Sequence, residues 1–425
     1  MDKYRQEYSA EFALRSQQIR QQLEQEKVQA VGLWLEDASQ FACVLLACLN
    51  AKVKVLLPPN LLDENLAWLN EHSALLFDKT TFAQFGHLQK IDKIQPLVDK
   101  QSESEIWLKT SGSSGQAKII HKTAHQMWAE AEALASVLPF KANEPVLVIG
   151  SVSVQHMYGL TFRIFLPLQM GWQLGGEQLH YPEYLVAESR HHRTLWISSP
   201  ALLTHLNLAN LEPDLKIDGI ISSGGMLPES TALALREKLP CPVLEIYGST
   251  ETGAIAFRQQ AGLWQPMPNS QLGLNTEGAL WVENAWISQR EQTADAVQFS
   301  EQGFELLGRI DRIIKLGDKR LSLVKMEQDL LNHPFVQDCY IALHCQHQRP
   351  LAWVALDPQG IEYFKQQGRK AIIQRLRIHL SLTQEKFALP RYWRFTEKLP
   401  RNSQAKISRL DFEKICTALE QEVFV

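Results

Sequence analysis

Short apolar runs rich in β-branched residues alternate along this chain with helical stretches, and that rhythm limits what it can fold into. The runs VGLWL (32–36), VKVLLP (53–58), PVLVIG (145–150), TLWISS (194–199), DGIISSGG (218–225) and PVLEIYG (242–248) predict βαβ units around a mainly parallel sheet, an α/β fold. Strand ends in such a sheet are where ligands usually bind. Two of the runs lead straight into small-residue loops, Ser222-Ser223-Gly224-Gly225 and Tyr247-Gly248-Ser249-Thr250, where backbone can approach a ligand closely.

A chain of 425 residues is too long for one ordinary core. Beyond about residue 308 the texture changes to shorter strands (FELLGRI, RLSLV, CYIALH, LAWVALD) and a helix rich in Lys, Arg and Gln near 361–382. Residues 309–425 carry 20 Lys and Arg against 13 Asp and Glu, a formal +7, which leaves −11 for the rest of a chain of net −4. We therefore expect a large N-terminal domain, 1–308, with mainly parallel sheets and helices, and a small α+β C-terminal domain, 309–425, joined to it by a hinge. The opposite charges suggest that the small domain meets something anionic.

Several classes are disfavoured. The first thirty residues mix charge and apolar positions at helical spacing and lack the apolar core of a signal peptide. The most apolar run, Phe41 to Pro58, is interrupted by Lys52 and Lys54 and reads as a buried helix and strand rather than a transmembrane segment. Cys43, Cys48, Cys241, Cys339, Cys345 and Cys416 form no CxxC and have no histidines at metal spacing, so neither a disulfide nor a zinc site is expected and a reducing cytoplasm suits them.

Four segments carry candidate chemistry. In Leu108-Lys109-Thr110-Ser111-Gly112-Ser113-Ser114-Gly115-Gln116-Ala117-Lys118, glycines let backbone N–H groups converge, hydroxyls add donors and a lysine adds charge, which are the parts of a phosphate cradle. It is not a Walker A loop, since no Gly-Lys-Ser/Thr occurs, and this tells against a P-loop NTPase. In Tyr247-Gly248-Ser249-Thr250-Glu251-Thr252-Gly253 a strand-end tyrosine can stack on a base, Thr250 can donate to a phosphate and Glu251 can hold a hard cation. Asp295 followed by Gly308-Arg309-Ile310-Asp311-Arg312 and Lys315-Leu316-Gly317 brings acidic and basic groups suited to a diol, and Lys406 sits on a polar loop near the C-terminus. Taken singly, each segment also reads as an ordinary turn, hairpin or solvated surface.

In this order the four segments resemble the adenylate-forming superfamily of acyl- and aryl-CoA synthetases, peptide-synthetase adenylation domains and luciferase-like AMP-binding enzymes. His156-Met157-Tyr158-Gly159-Leu160 is similar to that family's histidine-containing aromatic motif, Ser223-Gly224-Gly225 to its adenine-side loop, and Gly278-Ala279-Leu280-Trp281-Val282 faintly to its Gly-Glu-Leu strand. Lys109, Gln116-Ala117, Ala294 and Ala405 depart from the usual pattern, and the chain looks like a compact bacterial-type member. The resemblance implies an acid–thiol ligase using ATP and Mg²⁺. A carboxylate attacks the α-phosphate, pyrophosphate leaves, and a pantetheine thiol of an acyl carrier protein or CoA takes the acyl group.

By the same resemblance Thr110, Ser111, Gly112, Ser113, Ser114, Gly115 and Lys118 would hold the β- and γ-phosphates, and Thr250 would donate to a phosphate. Gly224, Gly225, Tyr247, Gly248 and Ser249 would form the adenine side. Asp295 and Arg309 would hold ribose, Glu251 would hold the metal, and Lys406 would bridge carboxylate and α-phosphate. Asp311 would be the hinge, Lys315 and Gly317 would line the thiol tunnel, and His156 would gate the tunnel or acyl pocket. An aryl or medium-chain acid suits Met157, Tyr158, Phe162, Trp172 and Trp196. The cations Lys365, Arg369, Lys370, Arg375, Arg377, Lys386, Arg391, Arg394 and Lys398 read as a protein-sized footprint for a carrier protein. A free-standing amino-acid adenylation domain and a non-catalytic adenylate-binding module are the alternatives. The first would want an anionic pocket residue, and none is evident; the second would have lost Glu251 or Lys406, and both are present. No nucleic-acid partner is expected.

Overall fold

The structure, a computed structural model, describes residues 2–86, 96–110, 118–208, 211, 214–239, 241–259, 262–316, 319–347, 349–401 and 407–418. Two compact units emerge, Met1–Leu272 with Val282–Glu291, and Gly273–Trp281 with Gln292–Val425.

Two sheets build the first unit. One holds β1 (Ala30–Leu33), β2 (Lys54–Leu57), β3 (Leu75–Phe77), β4 (Glu105–Thr110) and β5 (Lys118–Thr123) in the order β3-β1-β2-β4-β5, parallel except for the β4–β5 hairpin. Helix Ala38–Asn50 precedes β2, so the most apolar run is a buried helix and strand, as its lysines and prolines suggest. Asp37 starts that helix by accepting the Gln40 N–H at 2.8 Å, satisfying one of the donors a helix start leaves open. The other sheet holds β6 (Leu147–Gly150), β7 (Gln173–Leu174), β8 (Thr194–Ser198), β9 (Ile217–Ser222), β10 (Val243–Ser249), β11 (Gly253–Arg258) and β12 (Gln265–Pro266). Its order is β12-β11-β10-β9-β8-β6-β7, parallel from β7 to β10 and antiparallel beyond. Every residue of β8 is buried, which is why this run reads as continuously apolar rather than alternating.

The second unit contains most of a sheet of β13 (Gln271–Leu274), β14 (Ala279–Glu283), β15 (Glu291–Ser300) and β16 (Gly303–Arg309), and a hairpin of β17 (Ile313–Leu316) and β18 (Lys319–Ser322). It also has a sheet of β19 (Val336–Leu343), β20 (Pro350–Leu356) and β21 (Tyr392–Thr396), with helices Leu323–Leu331, Pro358–Leu380 and Arg409–Thr417. Met326, Leu330, Ile341, Val354, Leu376 and Trp393 share its core. The α/β class with mainly parallel sheets and the smaller α+β part expected from the run pattern are both present. Among the described residues, no helix is long and apolar enough to cross a membrane.

The basic footprint needs correction. Arg394 is buried and donates to the carbonyls of Trp393, Ile415, Cys416 and Ala418 at 3.0–3.4 Å. Arg369 donates to the Trp393 carbonyl at 2.7 Å, Arg377 reaches the Pro390 carbonyl, and the Arg375 guanidinium lies 4.6 Å from the Phe335 ring centroid. Four of the nine cations are therefore engaged with their own unit. Lys365, Lys370, Lys386, Arg391 and Lys398 are exposed.

All six cysteines are free thiols: Cys43, Cys48, Cys339 and Cys416 are buried, Cys241 is half-buried and Cys345 is exposed. Burial pushes the Cys43 and Cys241 thiols up to about 12, the Cys416 thiol up to about 11, and those of Cys48 and Cys339 upward as well.

Candidate active site

The segment that includes Thr250 and Glu251 is the tight turn of the β10–β11 hairpin. The strands run antiparallel, with Ser249 opposite Gly253 and a bulge between Tyr247 and Gly248. Thr252 knits the turn: its hydroxyl accepts from the Ser249 N–H at 3.0 Å and donates to the Gly253 carbonyl at 2.9 Å. Two glycines are required. Gly253 lies at φ +64°, in the left-handed region, and a Cβ on Gly248 would fall 2.1 Å from the Gly253 carbonyl oxygen. The result presents Thr250 and Glu251, both half-buried, at the end of a buried strand.

Two buried charges missed by sequence reasoning hold this turn from behind. Lys122 on β5 is 3% exposed and donates to the carbonyls of Glu251 and Trp286, each at 2.9 Å. Glu130, on helix Ala124–Val137, is 1% exposed and accepts from the Ala254 N–H at 2.7 Å and the Thr161 hydroxyl at 3.2 Å. Desolvation lowers the Lys122 pKa, opposed by the attraction of Glu130, and desolvation raises that of Glu130, opposed by Lys122 and its two hydrogen bonds. Lys122 stands on the strand that follows the serine-glycine loop. Thr110 and Lys118 pair across β4 and β5 and bound that loop, so two segments far apart in sequence are joined. Ser111, Gly112, Ser113, Ser114 and Gly115 lie outside the described residues.

Next to the turn, at the carboxyl end of β9, Ser223 donates to the Ile246 carbonyl at 2.8 Å, tying the Ser223-Gly224-Gly225 loop to the strand that leads to Tyr247. Gly224 has φ +83° and a Cβ there would meet nothing within 4 Å; at Gly225 the nearest atom would be 3.8 Å away. Both glycines are exposed, so open space lies over this loop. Tyr247 is half-buried, its ring 5.7 Å from that of Trp264.

His156 precedes the short helix Met157–Gly159, and although its ring is solvent-accessible, desolvation by the surrounding chain lowers its pKa. Two residues on, the Tyr158 hydroxyl reaches the Ser198 and Ile221 carbonyls at 2.9 and 2.8 Å, bridging the ends of β8 and β9, and its ring meets Phe162 edge-on at 5.1 Å. The chain continues as a π-helical segment, Leu160–Phe165, a form that concentrates at functional sites. Arg163 within it is fully buried and donates to the carbonyls of Val152 and Gly176 at 2.7 Å and Glu177 at 3.2 Å, fixing the loop that leads to His156. Its burial lowers the guanidinium pKa to about 10.

Asp295 and Arg309, both in the second unit, are directly opposite on β15 and β16. The Thr293 hydroxyl accepts from the Asp295 N–H at 3.1 Å and donates to the Leu280 carbonyl at 2.8 Å. Asp311 falls in the 3₁₀ turn Ile310–Arg312 and Lys315 in β17. Gly317 and Lys406 lie outside the described residues.

Comparison with known proteins agrees with this geometry. Residues 106–278 match the family model of AMP-binding enzymes. Over 253 residues the chain is 27% identical to a 4-coumarate–CoA ligase of Cereibacter sphaeroides, covering 58% of each chain. It is 21% identical to a 3,4-dihydroxybenzoate–[aryl-carrier protein] ligase of Bacillus anthracis, covering 60% of this chain and 63% of that one. The chain thus spans less than two thirds of these relatives' lengths. In fold it is similar to a benzoate CoA ligase from Burkholderia xenovorans LB400, with a TM-score of 0.78 at 18% identity over 95% of this chain and 94% of that one.

Proposed function

We propose that this chain, whose residues 106–278 match the family model of AMP-binding enzymes, activates a carboxylic acid as an acyl-adenylate and passes the acyl group to a pantetheine thiol. The observation that carries this reading is the 2.9 Å bond from Lys122, on the strand leaving the serine-glycine loop, to the carbonyl of Glu251. It ties the strand that leaves the serine-glycine loop to the turn that carries Glu251, which supports a shared role for the two segments.

The residues fit both groups. Glu251 offers a hard oxygen donor, and among the described residues its half-buried carboxylate makes no hydrogen bond or ion pair. Magnesium is typically held by one or two carboxylates plus substrate phosphates, and bound there it would offset phosphate charge. The open space over Gly224 and Gly225, beside Tyr247, suits a planar base. In the first half-reaction the acid's carboxylate oxygen attacks the α-phosphorus and the bond to the β-phosphate breaks, with Lys406 bridging the oxygens that gain charge. Thr110, Lys118 and residues 111–115 hold the departing pyrophosphate, Thr250 donates to a phosphate, and Asp295 and Arg309 take the ribose hydroxyls. In the second, the thiol sulfur attacks the acyl carbon and AMP leaves. The C-terminal part, 309–425, turns about Asp311 between the two steps, Lys315 and Gly317 line the thiol's path, and His156 gates it.

The acid is aryl or medium-chain acyl. Support for an aryl group comes from the Tyr158–Phe162 pair at the ends of the parallel strands and from the acids named for the two relatives. The thiol belongs to a carrier protein rather than free CoA, on the strength of the five exposed cations Lys365, Lys370, Lys386, Arg391 and Lys398, whose side chains form no ion pair among the described residues. The test is acid-dependent ATP–pyrophosphate exchange across aryl and medium-chain acids, followed by thioester formation with CoA and with holo-carrier protein. Exchange with an aryl acid, and salt-sensitive turnover with carrier protein, is the expected result. A folded protein that exchanges pyrophosphate with no acid overturns the activity, and efficient turnover with CoA alone overturns the acceptor.

A further inference from the structure

Lys122 and Glu130 are buried charges that the chemistry above does not use. Each directs one hydrogen bond to backbone, at opposite ends of one four-residue stretch. The ammonium takes the carbonyl of Glu251, and the carboxylate takes the N–H of Ala254. Between them lies Gly253, where an added Cβ would fall 2.7 Å from Glu130 Oε1 and 2.8 Å from Trp286 Cδ1, so the carboxylate lies hard against the turn. Trp286, itself buried, completes the grip: its carbonyl accepts from Lys122 at 2.9 Å and its indole N–H donates to the Ala254 carbonyl at 3.2 Å.

Burying an ammonium and a carboxylate is expensive, and apolar residues of similar volume often do as well or better for stability. A fold that needed only packing here would gain nothing from these charges. A turn whose single carboxylate must meet a cation to within fractions of an ångström would gain, because charge-assisted hydrogen bonds to both of its ends fix the backbone between them.

We propose that Lys122 and Glu130 are positioning residues, a two-ended clamp that holds the Glu251 carboxylate where a divalent cation and the nucleotide phosphates meet it. This deepens the functional reading above and rests on it for the identity of the ligand. The clamp acts through backbone, so neither side chain touches substrate, and its loss is felt as weakened metal use rather than weakened acid binding.

The decisive protein is the full chain with Lys122→Met and Glu130→Leu together, which removes both charges at once and leaves neither uncompensated. Glu130→Gln, which keeps an acceptor for the Ala254 N–H, serves as the conservative partner. In the double variant the Mg²⁺ concentration for half-maximal ATP–pyrophosphate exchange rises and kcat falls, each roughly tenfold to a hundredfold, as small misplacements of a reacting group do. The KM for the acid stays at its wild-type value, and Glu130→Gln recovers most of the loss. Hydrogen–deuterium exchange of the metal-free protein gives a readout independent of activity: peptides spanning 248–255 exchange about tenfold faster in the double variant, as loss of some 1.4 kcal/mol of local protection requires. In a Glu251→Gln background the double variant has no further effect on Mg²⁺ dependence. A folded double variant with wild-type Mg²⁺ dependence and wild-type exchange over 248–255 overturns the proposal, as does a loss confined to thermal stability. Wild-type protein inactive with every acid refutes the functional reading instead, and the exchange measurement still decides whether the clamp exists.

Discussion

The two units direct charged side chains, buried wholly or in part, to different ends. In the first, Lys122, Glu130 and Arg163 reach across sequence to the backbone of loops at strand ends, where the candidate site sits. In the second, Arg369, Arg377 and Arg394 donate to carbonyls of their own framework, at the ends of β21 and of the last described helix. A charge aimed at a functional loop should change chemistry when removed, while one aimed at framework should change stability alone. Sequence does not separate Lys122 from the arginines of the second unit, since each is a basic residue in mixed surroundings.

The largest test of that contrast is Lys406→Ala, because it asks whether the second unit also supplies chemistry. A cation on two oxygens gaining charge in a water-poor site is worth several kcal/mol, so acid-dependent pyrophosphate exchange should drop on the order of a thousandfold. Thioester formation from preformed acyl-adenylate should survive, and equal loss of both steps would refute the two-step assignment. Next come Arg163→Met and Arg394→Met as a pair. Each orphans several buried carbonyls and should lower unfolding free energy by about 3 kcal/mol, read from urea melts. Only Arg163→Met should also raise the KM for the acid, through the loop before His156; an identical kinetic profile for both variants breaks the comparison.

Glu251→Gln should leave stability unchanged and reduce kcat/KM for MgATP about tenfold to a hundredfold, since the anionic ligand proposed to hold the phosphate-neutralising cation is lost. Normal exchange would remove the metal assignment. The smallest expected effect concerns His333 in the second unit. Burial, with His379 and Arg375 adding repulsion, lowers its pKa from 6.5 to about 4, while its ring nitrogen accepts from the Phe335 N–H at 3.1 Å. The folded protein thus favours the neutral ring, so this group's contribution is present above pH 6.5 and is lost as pH falls toward 4. Melts between pH 4 and 7 should show that slope, flattened in His333→Gln.

How much of this was legible is best judged from particular residues. The strands PVLVIG, TLWISS and PVLEIYG declare themselves because their inner residues are buried on both faces and the runs are mostly apolar, the exception Glu245 being buried against Arg258. Tyr247, Thr250 and Glu251 stand in a glycine-bounded turn after such a strand, and the turn forms where the glycines place it. Glu130 was missed, though a signal existed: it falls three residues after Met127 and four before Leu134, on the apolar stripe of its helix rather than the polar face. Arg163 gave a similar sign, as a lone charge inside LTFRIFLPL. Lys122 gave none, because it is the one fully buried position of an otherwise accessible strand, and only the turn it reaches explains it. The arginines of the second unit were misread for the converse reason: their carbonyl partners belong to distant strands and helix ends that composition does not reveal.

The state of the cysteines has a consequence for an enzyme of the proposed chemistry. An acyl-adenylate is a mixed anhydride, and any thiolate nearby competes for it, including the protein's own. At neutral pH a thiol whose pKa is about 12 is ionised to only about one part in a hundred thousand, against a few per cent for an ordinary one. Burial therefore does more than fill space around Cys43 and Cys241: it makes these two thiols poor rivals to the acceptor and guards their positions against autoacylation.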